Sequence, residues 1–302
     1  MEETRTHRRV PGRAAWIVLA AIATGALGAV IIERCRLPRE SAADAHAAPG
    51  NAPLPVEPLA DWCPPAYEAI HGGCLALPDA PDPSRPLVVY LHGRYERDAP
   101  AEEADRQTRL ARDATERRFA VLALRGKLGE CSARELAGWY CWPSNQQNGG
   151  DAESMVERWR TPLEEAQRRA RAKKSVVLGF SSGGYFAALL ACRGFLDAEA
   201  FVIAHGGPVE PVQAERGRPP MLLLSADDDV AQDDMLALDA ALTRLQWAHD
   251  AYARDGAHGL TDGDIATSLT FFERSHEPLP LDPPLARHRP SHHPHDLPST
   301  QL

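Results

Sequence analysis

What most limits the fold of this 302-residue chain is a set of short, unbroken apolar runs separated by longer charged stretches of helical period. The runs are Leu87 to Leu91 (LVVYL), Phe119 to Leu124 (FAVLAL), Ser175 to Phe180 (SVVLGF), Ala200 to Ala204 (AFVIA), Met221 to Ser225 (MLLLS) and Trp247 to Ala253 (WAHDAYA). Strand-length runs that are apolar throughout, not only at alternate positions, imply burial on both faces. The amphipathic stretches Ala101 to Arg118, Asp151 to Lys173, Gly183 to Arg193, Ala231 to Gln246 and Thr261 to Ser275 are long enough to cover those faces. The pattern predicts an α/β fold, a mostly parallel sheet with helices on both faces. No internal repeat of solenoid period interrupts it.

The two ends read differently. Ala14 to Ile32 (AAWIVLAAIATGALGAVII) is 19 residues without a charge, preceded by Arg5, Arg8, Arg9 and Arg13. That length suits a membrane-spanning helix better than a signal peptide, and Glu33, Arg34, Cys35 and Arg36 follow it where small cleavable residues would stand. The expected layout is a cytoplasmic N-terminus over 1–13, an uncleaved transmembrane anchor over 14–32, an Ala/Pro-rich linker over 33–60, a folded domain over 61–275 and a disordered Pro/His-rich tail over 276–302. The alternative at the N-terminus is secretion after signal cleavage.

Four arginines before the span and three after it leave its orientation to the cysteines. Cys63 and Cys74 bracket one short loop and Cys131 and Cys141 another, which suggests two disulfides and hence a periplasmic or extracellular domain. Neither pair has the C-x-x-C spacing of a zinc site, and no metal or other cofactor is expected. Cys192, on a predicted buried helix face, reads as an apolar filler. The net charge of −9, with 33 Lys+Arg against 42 Asp+Glu and no basic stripe, excludes nucleic acid as a partner, because phosphate binding needs clustered cations.

The chemistry concentrates at Gly179-Phe180-Ser181-Ser182-Gly183, a G-x-S-x-G placed between a predicted strand and a predicted helix. A nucleophile at the tip of such a turn brings the residues two before and two after it into near-collision, which glycine at both places relieves. Ser181 has small neighbours at both positions and is the candidate nucleophile; Ser182 would have Phe180 two before it. A serine hydroxyl needs a base, and the base needs an acid that fixes its tautomer. The acid is expected after the strand Met221 to Ser225, in Asp227-Asp228-Asp229, with Asp228 favoured, Asp227 the alternative and Asp229 assigned to capping the following helix. The base is expected at His258, in the glycine-flanked loop Gly256 to Gly259 ahead of a T-x-x-D capping box at Thr261 and Asp264. Backbone N–H groups for the oxyanion are expected from Ser182 and from Arg94, or else Gly93, in the loop Leu91-His92-Gly93-Arg94.

These pieces, LHG at 91–93, GFSSGG at 179–184, SADDDV at 225–230 and GAHG at 256–259, make the chain resemble the α/β-hydrolases, near the esterase, dienelactone-hydrolase and polyhydroxybutyrate-depolymerase-like branches. The resemblance implies a Ser-Asp-His triad and cofactor-free hydrolysis, carried here by Ser181, Asp228 and His258. Two departures stand out: a short N-terminal hairpin and an acid ambiguous within three aspartates. Trp139, Tyr140 and Trp142, in the excursion from Arg125 to Gly150, either line the substrate pocket or pack that loop onto the domain. The expected activity is a carboxylic ester hydrolase working through an acyl-serine on a small ester or acyl substrate. The alternatives are a serine peptidase of the same fold, or a non-catalytic surface binding module.

Overall fold

The computed structural model describes residues 58–131, 134–143, 149–208, 212 and 217–276. The expected membrane anchor over 14–32 lies outside the described residues, as does the expected tail over 276–302 but for its first residue, His276, which ends the last helix. Among the described residues no helix is long and apolar enough to cross a membrane.

The chain enters through a hairpin, β1 (Glu68–Ile70) and β2 (Gly73–Ala76), then passes to β3 (Leu87–Leu91) and the short β4 (Tyr95–Glu96). Helix α1 (Ala101–Glu116) leads to β5 (Val121–Leu124), followed by β6 (Lys127–Leu128) and β7 (Trp139–Cys141). Helices α2 (Gly149–Arg158) and α3 (Arg160–Ala170) precede β8 (Ser175–Phe180), α4 (Ser182–Arg193) and β9 (Phe201–Ala204). The chain ends in β10 (Met221–Asp228), α5 (Gln232–Arg244), β11 (His249–Ala257) and α6 (Asp262–His276). The main sheet has the order β1-β2-β5-β3-β8-β9-β10-β11. Its strands from β5 to β11 are parallel, and the hairpin adds two antiparallel strands at one edge. A small antiparallel sheet, β4-β7-β6, stands apart from it.

Successive residues of a strand face opposite sides, so each apolar run feeds two cores. Val89, Leu122, Val177, Ile203 and Leu223 pack with Phe186, Leu190, Leu238 and Leu242 on the side of α4 and α5. Val88, Tyr90, Leu178, Val202 and Leu222 pack with Leu110, Ile265, Leu269 and Phe272 on the side of α1 and α6. Full burial of side chains this size contributes about 1.5–3 kcal/mol each.

Three sequence expectations shift. The helix expected over Asp151 to Lys173 is two helices, and Pro162, which lacks an N–H and suits a first helical turn, lies just after the break. The last two strands run further than their apolar runs, to Asp228 and Ala257, because they pair with each other through Asp228 and Ala257. The folded domain also begins earlier than Asp61, since Ala60 donates its N–H to the Ile70 carbonyl at 3.0 Å and Gly72 to that of Pro58 at 2.9 Å. The N-terminal hairpin is short, as expected, at three to four residues a strand. Disulfides join Cys63 to Cys74 and Cys131 to Cys141, the first tying the entering segment to β2 and the second tying β7 to the loop before it.

Helix α6 starts on the expected capping box. The Asp264 N–H donates to Thr261 Oγ1 at 3.1 Å, while the Asp264 carboxylate accepts the Thr261 N–H at 2.9 Å and hydroxyl at 2.8 Å. Burial pushes the Asp264 carboxyl up, but hydrogen bonds from His205 and Thr261 and the nearby Arg254 outweigh it and hold it down at about 2. A carboxylate depressed in this way stabilises the fold above its unfolded pKa and loses that contribution as pH falls toward 2, a difference of about 2 kcal/mol. Asp264→Asn should therefore destabilise by that amount at pH 7 in denaturant titrations, with the gap closing near pH 2. An equal gap at both pH values would contradict the ionised, hydrogen-bonded carboxylate.

Candidate active site

Strand β8 delivers Ser181 to the edge of the sheet where the parallel strands end. Its backbone has φ 53° and ψ −119°, a conformation unusual for a residue with a side chain, costing about 1–3 kcal/mol. Hydrogen bonds fix it on both sides: the Ser181 N–H donates to the Ala204 carbonyl at 2.8 Å, and its carbonyl accepts the Tyr185 N–H at 3.0 Å. The turn closes only because its flanks lack side chains. A Cβ on Gly179 would stand 2.2 Å from the Gly183 oxygen, and one on Gly183 would stand 2.1 Å from the Leu91 oxygen.

His258 reaches the serine from the loop after β11. The Ser181 hydroxyl donates to His258 Nε2 at 2.9 Å, and His258 Nδ1–H donates to Asp229 Oδ1 at 2.7 Å. The ring also rests against Phe180, with centroids 5.3 Å apart. The carboxylate that meets His258 is thus Asp229, where the sequence favoured Asp228 with Asp227 as the alternative. Because β10 continues through the first two aspartates, they remain exposed strand residues, and Asp229 is the first residue beyond the strand. The sequence assigned Asp229 to helix capping, but α5 has Ala231 at its N-cap and no side-chain cap; Asp229 Oδ1 accepts the Ala231 N–H at 2.8 Å and so closes the turn that leads into the helix.

The Asp229 side chain is fully buried. Burial alone would raise its pKa, but hydrogen bonds from the Ala231 N–H, His258 and His205 prevail and lower it. The last of these partners escaped the sequence reading. His205 stands just past β9, fully buried and with φ 54°, and its Nδ1 hydrogen-bonds Asp229 Oδ2. The available signal was its position at the carboxyl end of an apolar run, the same sheet edge that receives Ser181.

Ser181, Ser182, Arg94 and His258 line a cleft of roughly 720 Å³ with Trp142, Tyr185, Val230, Asp234 and the Cys131–Cys141 disulfide. His92 lies behind the loop: its Nε2 accepts the Gly126 N–H at 2.8 Å, and burial drives its pKa down to about 3. Of the three aromatic candidates only Trp142 lines this cleft. Its Nε1–H donates to the His92 carbonyl at 2.7 Å and its ring stacks on Phe186, so it also packs the loop onto the core. Tyr140 instead stacks on the Arg125 guanidinium and borders two other clefts with Trp62, and Trp139 lines none of these spaces. Alternation along β7 separates the two side chains.

Nitrogen and oxygen atoms of His205, Asp229 and His258 come within 4.8 Å of one another, close enough to suggest metal ligands. The 2.7 Å contact between His258 Nδ1 and Asp229 Oδ1 is shorter than the separation of two atoms each about 2 Å from one zinc ion in tetrahedral geometry. The cluster is a hydrogen-bonded one.

By sequence the chain matches no protein-family model and no curated protein. By structure it is similar to a Bacillus cereus carboxylesterase, with 17% identity and a TM-score of 0.51, covering 67% of this chain and 94% of that one. It is similar also to Arabidopsis thaliana SOBER1, with 15% identity and a TM-score of 0.51, covering 64% of this chain and 100% of that one. The chain has the α/β-hydrolase fold. An α/β-hydrolase places functional side chains at the carboxyl ends of its strands, and the Ser181, Asp229 and His258 cluster lies at that edge. The geometry predicts that Asp229→Asn slows phosphonylation of Ser181 by a fluorophosphonate on the order of 10³–10⁴-fold. Asp227→Asn and Asp228→Asn should leave the rate within about twofold, as surface substitutions do. Loss of reactivity in the Asp228 variant with retention in the Asp229 variant would reverse the assignment.

Proposed function

We propose that the protein is a serine hydrolase of carboxylic esters. The observation that carries this reading is the continuous hydrogen-bonded series from the Ser181 hydroxyl through His258 to Asp229, opening onto a cleft. His258 Nε2 takes the proton of Ser181 as its oxygen attacks the ester carbonyl, and Asp229 stabilises the imidazolium that forms. The anionic oxygen of the tetrahedral intermediate is received by backbone N–H groups of Ser182, at the start of α4, and Arg94. The positive end of α4 favours the same charge. His258 then protonates the departing alcohol, leaving an acyl-Ser181 that water, activated by the same histidine, hydrolyses. The carboxylesterase among the structural neighbours accords with this reaction.

Two disulfides in the domain fit an oxidising compartment. We place the domain outside the cytoplasm, tethered through the apolar segment over 14–32. The cleft mixes the apolar Trp142, Val230 and Pro208 with the charged Arg94 and Asp234, in keeping with a small-molecule ester or acyl substrate.

A panel of nitrophenyl esters, lactones and peptides tests the reaction class. Ester hydrolysis that Ser181→Ala lowers by at least about 10³-fold is the expected result. Turnover of peptides alone, or ester turnover equal in both proteins, would contradict it.

A further inference from the structure

Asp229 has more partners than orienting one histidine requires, and the additional one leads away from Ser181 into a buried polar group. His205 Nδ1–H donates to Asp229 Oδ2, the oxygen that His258 leaves free. On its other side, His205 Nε2 lies 3.5 Å from Asp264 Oδ2 and 3.4 Å from Arg254 Nη2. The Arg254 Nε–H is shared between the two Asp264 oxygens at 3.1 and 3.3 Å. Its Nη2 reaches back to the loop that bears the base, donating to the Gly259 carbonyl at 2.6 Å and to that of Ala257 at 3.3 Å. Those carbonyls belong to the two residues flanking His258.

Both members of the pair that serves Ser181 are therefore anchored on one three-residue unit. His205 holds the second oxygen of Asp229, which stops the carboxylate turning about its last bond. Arg254 holds the backbone on either side of His258 and is itself fixed by Asp264 at the start of α6. His205 is fully buried and Asp264 only 5% exposed, so water is kept from the His205 and Asp264 side of the network, while Arg254 is half-buried and meets the loop carbonyls nearer the surface. Their arrangement also balances charge, with Arg254 lying against one of the two buried carboxylates and the other left facing the imidazole that must accept a proton.

We propose that His205, Asp264 and Arg254 form a positioning network that fixes Asp229 and the His258 loop in their working geometry. It rests on the reading of Ser181 as nucleophile, but not on the identity of the substrate. A base displaced by about 1 Å costs on the order of 10²-fold in rate, so a network of this kind acts on turnover without touching the reacting atoms.

Two substitutions at His205 separate the contacts. In Asn the side-chain amide nitrogen falls where His Nδ1 lies and can still donate to Asp229; in Gln it falls where Nε2 lies and cannot. The readouts are the rate of fluorophosphonate labelling at Ser181 and the far-downfield proton NMR resonance of the hydrogen between His258 and Asp229. His205→Asn should keep the resonance and label within about threefold of wild type, whereas His205→Gln should lose the resonance and label at least about tenfold more slowly. Should His205→Gln fail to fold, Arg254→Lys gives the same reading. A lysine ammonium cannot bridge Asp264 and both loop carbonyls at once, and the expected loss is again the resonance and at least tenfold in rate. A folded His205→Gln or Arg254→Lys with the wild-type resonance and rate would overturn the proposal. A wild type that shows the resonance but no labelling at Ser181 would remove the hydrolase reading and leave the network standing on the resonance.

Discussion

The close approach of two backbones, the start of α4 and the end of β3, is the constraint on which the site depends. Gly183 lies so near the Leu91 and His92 carbonyls that no side chain fits between them. That contact brings the loop bearing Arg94 alongside Ser181 and accompanies the sharp turn in which Ser181 takes a positive φ. The strain is local and small against the burial of five strand residues on each side of the sheet, so the core tolerates it.

Charge is the second organising element. Asp229 is a fully buried anion, and such a group is stable only when its lone pairs are met. Here an N–H at the start of α5 and two histidines meet them, which lowers its pKa despite burial. The carboxylate thereby closes the turn into α5, orients the ring of His258 and joins the end of β9 to that of β10. Fold stability and the orientation of the His258 ring depend on the same hydrogen bonds.

Much of this is legible in the sequence because it follows from period and spacing. Continuous apolar runs give the parallel strands, G-x-S-x-G at a strand-to-helix junction gives Ser181, and the glycine-flanked loop ahead of Thr261 and Asp264 gives His258. The remainder depends on pairing between distant segments. Asp228 is favoured only while β10 is taken to end at Ser225; the polar continuation of β11 extends it by three residues and moves the first loop carboxylate to Asp229. Tyr140 and Trp142 lie two apart, yet Trp142 is drawn to the core by the His92 carbonyl while Tyr140 is held by Arg125. His205 carries no local signal beyond its place after β9, since its partners are 24 and 59 positions further along.

The central claim is that the turn at Ser181 presents a nucleophile beside donors for an oxyanion. A crystal structure of the protein after reaction with a fluorophosphonate tests it most directly. The expected result is phosphorus bonded to Ser181 Oγ, with a phosphonyl oxygen about 2.7–3.1 Å from the N–H groups of Ser182 and Arg94. Phosphorus on another residue, or a phosphonyl oxygen turned to solvent away from both N–H groups, would contradict the account.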